Sequence, residues 1–88
     1  MVTGLPTTLA ATVAANIRAE TGRRGLHQRD IARYLGLAPS RISERWRGIT
    51  PWSLDDIDRL AELFSVRPQD LCAKVDAPAV PLDLGQTG

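Results

Sequence analysis

Apolar residues recur at helical spacing along most of the chain, and their pattern predicts an all-α, compact bundle of about five short helices. In the first segment, residues 9–17 repeat an aliphatic side chain every four positions, which places these side chains on one face of a helix. We expect this helix over residues 7–21, with Thr7 or Thr8 as its cap and Gly22 at its end.

Residues 28–46 predict two further helices that are joined by a tight turn. The first helix carries its apolar side chains on one face, at Ile31, Ala32 and Leu35. Gly36 follows, where a helix end favours a residue that tolerates positive φ, and Pro39 suits the first position of a new helix. The new helix would bury Ile42 and Trp46, which are four residues apart. Two short helices around such a turn form a helix-turn-helix.

The helical pattern resumes after a loop over residues 47–52. Ser53 is the expected cap of a fourth helix, whose apolar stripe consists of Ile57, Leu60, Ala61 and Phe64. Pro68 opens a short fifth helix. The pattern is lost after residue 75, so we expect a domain over residues 1–75 and a flexible or partner-docking tail over residues 76–88.

Charge is distributed unevenly along the chain, although its formal net value is only +1. Residues 1–50 hold eight arginines against three acids, a net charge of +5, whereas residues 51–88 carry −4. A basic half that contains the helix-turn-helix indicates a polyanionic partner. Ten of the eleven cations are arginine, which suits bidentate contacts with phosphate and guanine, although a GC-rich genome would also enrich arginine.

Other classes of protein find little support in the composition. One cysteine and one histidine argue against an internal disulfide and a cysteine-based metal cluster, and we expect no metal and no other cofactor. No apolar run approaches the length of a membrane span. Acid–base pairs, catalytic triads and phosphate-binding glycine loops are not recognisable, so an enzyme with catalytic residues is not expected.

The spacing Gln-x-x-Ile-Ala-x-x-Leu-Gly-Leu-x-x-Ser-x-Ile-Ser, which begins at Gln28, resembles the lambda-type repressor and Cro family of helix-turn-helix proteins. The resemblance covers about residues 28–71. It implies a sequence-specific regulator of transcription that binds double-stranded DNA, and the absence of a second domain makes it most similar to a compact Cro-like repressor. We therefore expect a phage or bacterial protein in the cytoplasm of a bacterial cell or a phage-infected host, acting as a homodimer on two half-sites.

The second helix of the motif would present its outer face to the major groove. Since a helix turns 100° per residue, burial of Ile42 and Trp46 leaves other side chains facing outward. The expected base contacts are Ser40, Arg41, Glu44 and Arg45. Arg41 suits guanine, and Glu44 either orients a neighbouring arginine or accepts from cytosine. Arg45 either extends past the edge of the core or turns to DNA.

Phosphate contacts are expected around this face. The resemblance implies that role for Gln28, at the start of the first helix of the motif, and for Arg47, just after the second. Ser43 flanks the outer face, and Arg23 and Arg24 form a basic turn that would contact phosphates beside the groove. Three departures from the family pattern affect base reading and stability: Pro39 replaces a polar side chain, Ala38 replaces a Ser or Thr cap, and Arg45 occupies a position that is often apolar in the family.

A different class of function stays open at this point. An antitoxin-type or other protein-interaction module would bind its own promoter through the helix-turn-helix and a protein partner through residues 76–88, where Val80, Leu82 and Leu84 alternate as in a strand. The fifth helix and this tail are also the expected dimer surface.

Overall fold

The computed structural model describes residues 8–74 and confirms the all-α bundle. Five helices follow one another: α1 (Leu9–Arg23), α2 (Gln28–Leu35), α3 (Pro39–Trp46), α4 (Leu54–Phe64) and α5 (Pro68–Cys72). Within this part of the chain, no helix has the length and apolar character that a membrane crossing requires. Thr7, one of the two expected caps of the first helix, and the tail over residues 76–88 lie outside the described residues.

All five helices contribute to one hydrophobic core. The least exposed large side chains come from four of them: Ile17, Ile31, Leu60, Phe64 and Leu71, each below 2% exposed. α5 packs against α1 and α4, and α3 packs against α2. The predicted stripe of α4 is buried throughout. Trp52 is buried as well, and Trp46 is half-buried against the core.

The end of α1 lies beyond the expected position. Gly22 was predicted to terminate the helix, but the helix continues through it to Arg23. Gly25 is the residue with positive φ, at 70°. The backbone N–H of Leu26 donates to the carbonyl of Thr21 at 3.0 Å, and that of Gly25 donates to Gly22 at 3.1 Å, the two bonds of a Schellman ending. At the other end, the Thr8 hydroxyl accepts from the N–H of Ala11 at 3.1 Å, as expected for a cap.

Local hydrogen bonds fix the start of α4, and a residue in the left-handed conformation ends it. The Ser53 hydroxyl accepts from the N–H of Asp56 at 3.0 Å, and the Asp56 carboxylate accepts from the N–H of Ser53 at 3.3 Å, which confirms Ser53 as the cap. At the other end, Ser65 has a φ of 59° and a ψ of 41°. This left-handed conformation is usually taken by glycine at a helix end.

α5 begins with a similar local arrangement. The Asp70 carboxylate accepts from the Arg67 guanidinium at 3.1 Å and from the Arg67 backbone N–H at 3.0 Å. The guanidinium and then the backbone N–H hold the pKa of Asp70 below its usual value. The bonds to Arg67 therefore favour the charged form of this carboxylate.

Replacement of Ser65 by glycine is expected to stabilise the protein. A side chain with a Cβ is strained in the left-handed region, and we expect Ser65→Gly to raise the free energy of unfolding by about 0.5–1 kcal/mol. Urea denaturation followed by circular dichroism measures this. Ser65→Ala is the control, because it keeps the Cβ and should stay near the wild type. A glycine variant no more stable than the alanine variant would contradict the assignment.

Candidate nucleic-acid interface

The turn between α2 and α3 fixes the relative position of these two helices. Gly36 has a φ of 72°, and the N–H of Leu37 donates back to the carbonyl of Ala32 at 2.9 Å. Ala32 is 5% exposed, and its small side chain allows the helices to approach closely. Pro39 is the first residue of α3, as predicted. The sequence signals for the helix-turn-helix therefore have the local geometry that they predicted.

The outer face of α3 carries most of the side chains that were predicted to face DNA. Ser40, Arg41 and Glu44 are exposed, as is Arg47 at the end of the helix, whereas Ser43 is half-buried at the flank. Ile42, on the opposite side, is 2% exposed. The helix therefore has the orientation that the burial pattern predicted.

Arg45 does not face outward with these residues. Its side chain is 12% exposed, and its Nε lies 3.2 Å from Oδ2 of Asp56 on α4. The same guanidinium donates to the carbonyl of Arg41 at 3.2 Å. The carboxylate at the start of α4 therefore holds this side chain against the core, which is the first of the two arrangements expected for Arg45. A base contact at Arg45 would require this pair to open, and it stays a prediction. The Arg45–Asp56 pair joins α3 to α4.

The surroundings of Glu44 differ from those that the nearby arginines in the sequence predicted. Within residues 8–74 the structure contains no ion pair between Glu44 and an arginine. The carboxylate instead accepts from the Thr50 hydroxyl over a long 3.5 Å, and its exposed position leaves it open to an outside donor. The orienting role predicted from nearby arginines is not seen in this arrangement.

The basic turn after α1 is largely engaged within the protein. Arg24 bonds to the carboxylate of Glu20 and to the carbonyl of Phe64, and its guanidinium lies over the Phe64 ring, 5.1 Å from the centroid. Arg23 pairs with Glu20 at 2.6 Å, although its side chain is 64% exposed. This side chain packs on the end of α4, so a phosphate contact at Arg24 would require these bonds to be exchanged, and it stays a prediction.

Two arginines on α2 were not among the residues singled out from the sequence. Arg29 and Arg33 are exposed and, together with Gln28, border an open groove between α2 and α3. The floor of this groove, which has a volume of about 430 Å³, is formed by Ala32, Leu37, Pro39 and Ile42. Their spacing in the sequence could have identified them, because Arg29 and Arg33 are four residues apart and therefore share a helix face.

The arginines divide into two groups by their hydrogen-bond partners. Among residues 8–74, six arginines donate to a protein acceptor: Arg18, Arg23, Arg24, Arg45, Arg59 and Arg67. The four whose guanidinium groups have no such partner in this range are Arg29, Arg33, Arg41 and Arg47. All four belong to α2, to α3 or to the residue that ends α3. The unpaired positive charge of the described arginines is therefore concentrated on the helix-turn-helix.

Comparisons with known proteins agree with this geometry. A family model described as helix-turn-helix matches residues 17–71, from the middle of α1 into α5. A solved structure described as the hypothetical transcription factor NHTF from Neisseria shares 26% sequence identity with this chain. It superposes with a TM-score of 0.69 over 84% of this chain and 87% of its own. Among curated proteins, no match was found.

Loss of the Arg45–Asp56 pair is expected to destabilise the fold. Arg45→Met leaves a mostly buried carboxylate with only the Ser53 N–H as a donor, and we expect a loss of about 1–2 kcal/mol in the free energy of unfolding. Arg41→Met is the matched control, because Arg41 lies one turn away on the exposed face and should change stability by less than about 0.5 kcal/mol. Urea denaturation compares the two variants. Equal effects would show that Arg45 does not hold α3 in place.

Proposed function

Since this chain belongs to the helix-turn-helix family and is a DNA-binding regulator, we propose that it is a sequence-specific, Cro-like repressor that inserts residues 39–47 into the major groove of double-stranded DNA. One observation carries the proposal: the described arginines without a protein partner all lie on α2, on α3 or at the end of α3. Unpaired guanidinium groups beside an exposed recognition helix supply the two requirements for binding, which are phosphate neutralisation and base readout.

Base reading is assigned to three exposed residues of α3. Arg41 is the principal reader, because its planar guanidinium donates to O6 and N7 of guanine together. Glu44 has only a long contact with Thr50, so it is available to accept from the amino group of cytosine. A carboxylate in this position also repels phosphates on any duplex, and this cost is offset only where a cytosine amino group donates to it. Ser40, with its short hydroxyl, completes the reading face.

Backbone contacts are assigned to the rim of this face. Arg29 and Arg33 extend from α2 beside Gln28, and Arg47 lies at the other end of α3, so cations flank the reading residues on both sides. α3 has no side-chain cap at Ala38, and its uncapped N-terminus favours a nearby phosphate. Ser43 and Arg23 keep their predicted phosphate contacts as part of the proposal.

A single copy of this domain reads too few base pairs to find one site in a genome. We therefore assign a homodimer that binds two half-sites about 34 Å apart, one in each of two successive turns of the major groove. The proposed setting is the cytoplasm of a bacterial cell or a phage-infected host.

Arg41→Ala is expected to relax specificity at one position of the operator. Loss of a bidentate guanine contact should remove about 1–3 kcal/mol of discrimination at that base pair, while the affinity for unrelated duplexes changes little. Selection from random duplexes, followed by titration of single-base variants by fluorescence anisotropy, gives the preference at each position. Arg33→Ala is the matched control and should weaken all duplexes alike. A uniform loss for Arg41→Ala would reassign this residue to a phosphate.

Combined replacement of Arg29 and Arg33 by glutamine is expected to reduce the salt dependence of binding. Each lost phosphate contact lowers the slope of log K against log[salt] by about 0.9, so the double variant should lose roughly one to two units. The control is Arg67→Gln with Lys74→Gln, which removes two cations from the region of α5. If the control pair lowers the slope by the same amount, the cations of α2 have no special place at the interface.

A further inference from the structure

The apolar floor of the groove between α2 and α3 reaches the protein surface at Pro39. Two of the four residues that form this floor, Ala32 and Ile42, are 5% and 2% exposed, and Leu37 is half-buried. Pro39 is exposed and is the first residue of α3. It is therefore the most accessible apolar group that a ligand of this groove would meet.

Positively charged side chains border this apolar floor. Arg29 and Arg33 are exposed on α2 and line the same groove as Pro39. Neither guanidinium group has a protein partner among residues 8–74. The groove therefore combines unpaired positive charge at its border with apolar atoms at its floor, and a ligand that matches it carries anionic groups next to an apolar group.

A DNA strand has this combination at each thymine. The 5-methyl group of thymine is the apolar substituent that a base edge presents in the major groove. It lies at the side of the groove that is next to the sugar–phosphate backbone of its own strand. Phosphates match the two arginines, and the methyl group matches an apolar side chain.

Pro39 lies beside the residues to which base reading is assigned, on one flank of α3. The groove places it on the flank that faces α2. Since a helix turns 100° per residue, Arg41 lies about 200° from Pro39 around the axis, with Ser40 between them. Arg45, about 40° from Arg41, pairs with Asp56 on α4. Pro39 and Arg41 therefore lie on opposite flanks of the reading face and reach different base pairs.

We propose that Pro39 determines specificity for thymine by packing its ring against the 5-methyl group, while Arg29 and Arg33 contact phosphates of the same strand. The proposal rests on the proposed function and adds a reading residue to it. The resemblance to the lambda-type family predicted only the loss of a polar side chain at this position. An apolar ring replaces a hydrogen bond with a contact to the methyl group, and ordering a proline side chain costs almost no conformational entropy.

Replacement of thymine by uracil tests the contact, because it removes the methyl group and leaves the hydrogen-bonding groups of the base in place. The probe is the operator obtained by selection from random duplexes, in which each thymine of one half-site is replaced singly. For the full-length wild type, we expect one replacement to raise the dissociation constant about fourfold, which corresponds to the burial of one methyl group. Fluorescence anisotropy measures this constant.

Pro39→Ser identifies the side chain that makes the contact. For this variant, the ratio of the dissociation constants for the uracil and thymine duplexes should fall from about four to about one. Pro68→Ser is the matched control, because Pro68 is also the exposed first residue of a helix, α5. This control should keep the wild-type ratio. Thermal unfolding followed by circular dichroism verifies that both variants are folded.

Methylation of cytosine tests the methyl group apart from the rest of the thymine base. At the position of the sensitive thymine, duplexes with cytosine and with 5-methylcytosine differ by the methyl group alone. The methylated duplex should bind the wild type more tightly by a similar factor, and Pro39→Ser should not distinguish the two. Equal affinities of the wild type for both duplexes would contradict the contact.

Two further results would overturn the proposal while the proposed function stands. The first is sequence-specific binding in which no replacement of thymine by uracil weakens the wild type. The second is a uracil penalty that is the same for the wild type and for Pro39→Ser, which would assign the methyl contact to another side chain. If the wild type shows no salt-sensitive binding to any duplex, the proposed function fails, and the role of Pro39 fails with it.

Discussion

Side chains from elsewhere in the bundle cap the C-termini of α2 to α5, and these bonds hold the short helices in place around the shared core. Helices of five to eleven residues are too short to persist alone, and the last carbonyls of each lack partners within the helix. Arg18 donates to Trp46 at the end of α3 at 3.2 Å, and Arg59 donates to Tyr34 and Leu35 at the end of α2 at 2.8 and 3.3 Å. Arg24 and Asn16 serve α4 and α5 in the same way. Each bond satisfies a carbonyl and also joins two elements.

This use of arginine explains how a chain with little net charge presents a basic surface. Four arginines are bound along the interior edges of the bundle, at Arg18, Arg24, Arg45 and Arg59. Their charges face carbonyls or carboxylates of the same molecule, and two more arginines pair with nearby acids on α1 and α5. The other four described arginines, Arg29, Arg33, Arg41 and Arg47, have no such partner among residues 8–74. The outer surface of the helix-turn-helix therefore differs from the rest of the molecule by the pairing of its arginines, in addition to the uneven charge of the two halves of the chain.

The sequence predicted those parts of the structure that local signals determine. The bounds of α2 and α3 follow from the apolar spacing, from Gly36 and from Pro39, all of which act within a few residues. The prediction that Gly22 ends α1 was wrong, because Gly25 takes the left-handed conformation instead and the backbone bonds from Leu26 and Gly25 form there. Local signals did not predict which side chains bond to one another across the bundle. Arg24 reaches Phe64, forty residues away along the chain, and the position of Asp56 beside Arg45 depends on how α4 packs.

The residues that anchor α3 in the bundle are different from those that are proposed to read bases, and this determines which substitutions the fold tolerates. Ser40 and Arg41 have no side-chain partner among the described residues, and Glu44 has only one long contact. Substitutions at these three positions therefore leave the bundle intact, while Arg45 and Ile42 on the same helix keep it seated. A library randomised at residues 40, 41 and 44 would consist mainly of folded members, and new operator preferences could arise by drift or by design without repair elsewhere in the chain.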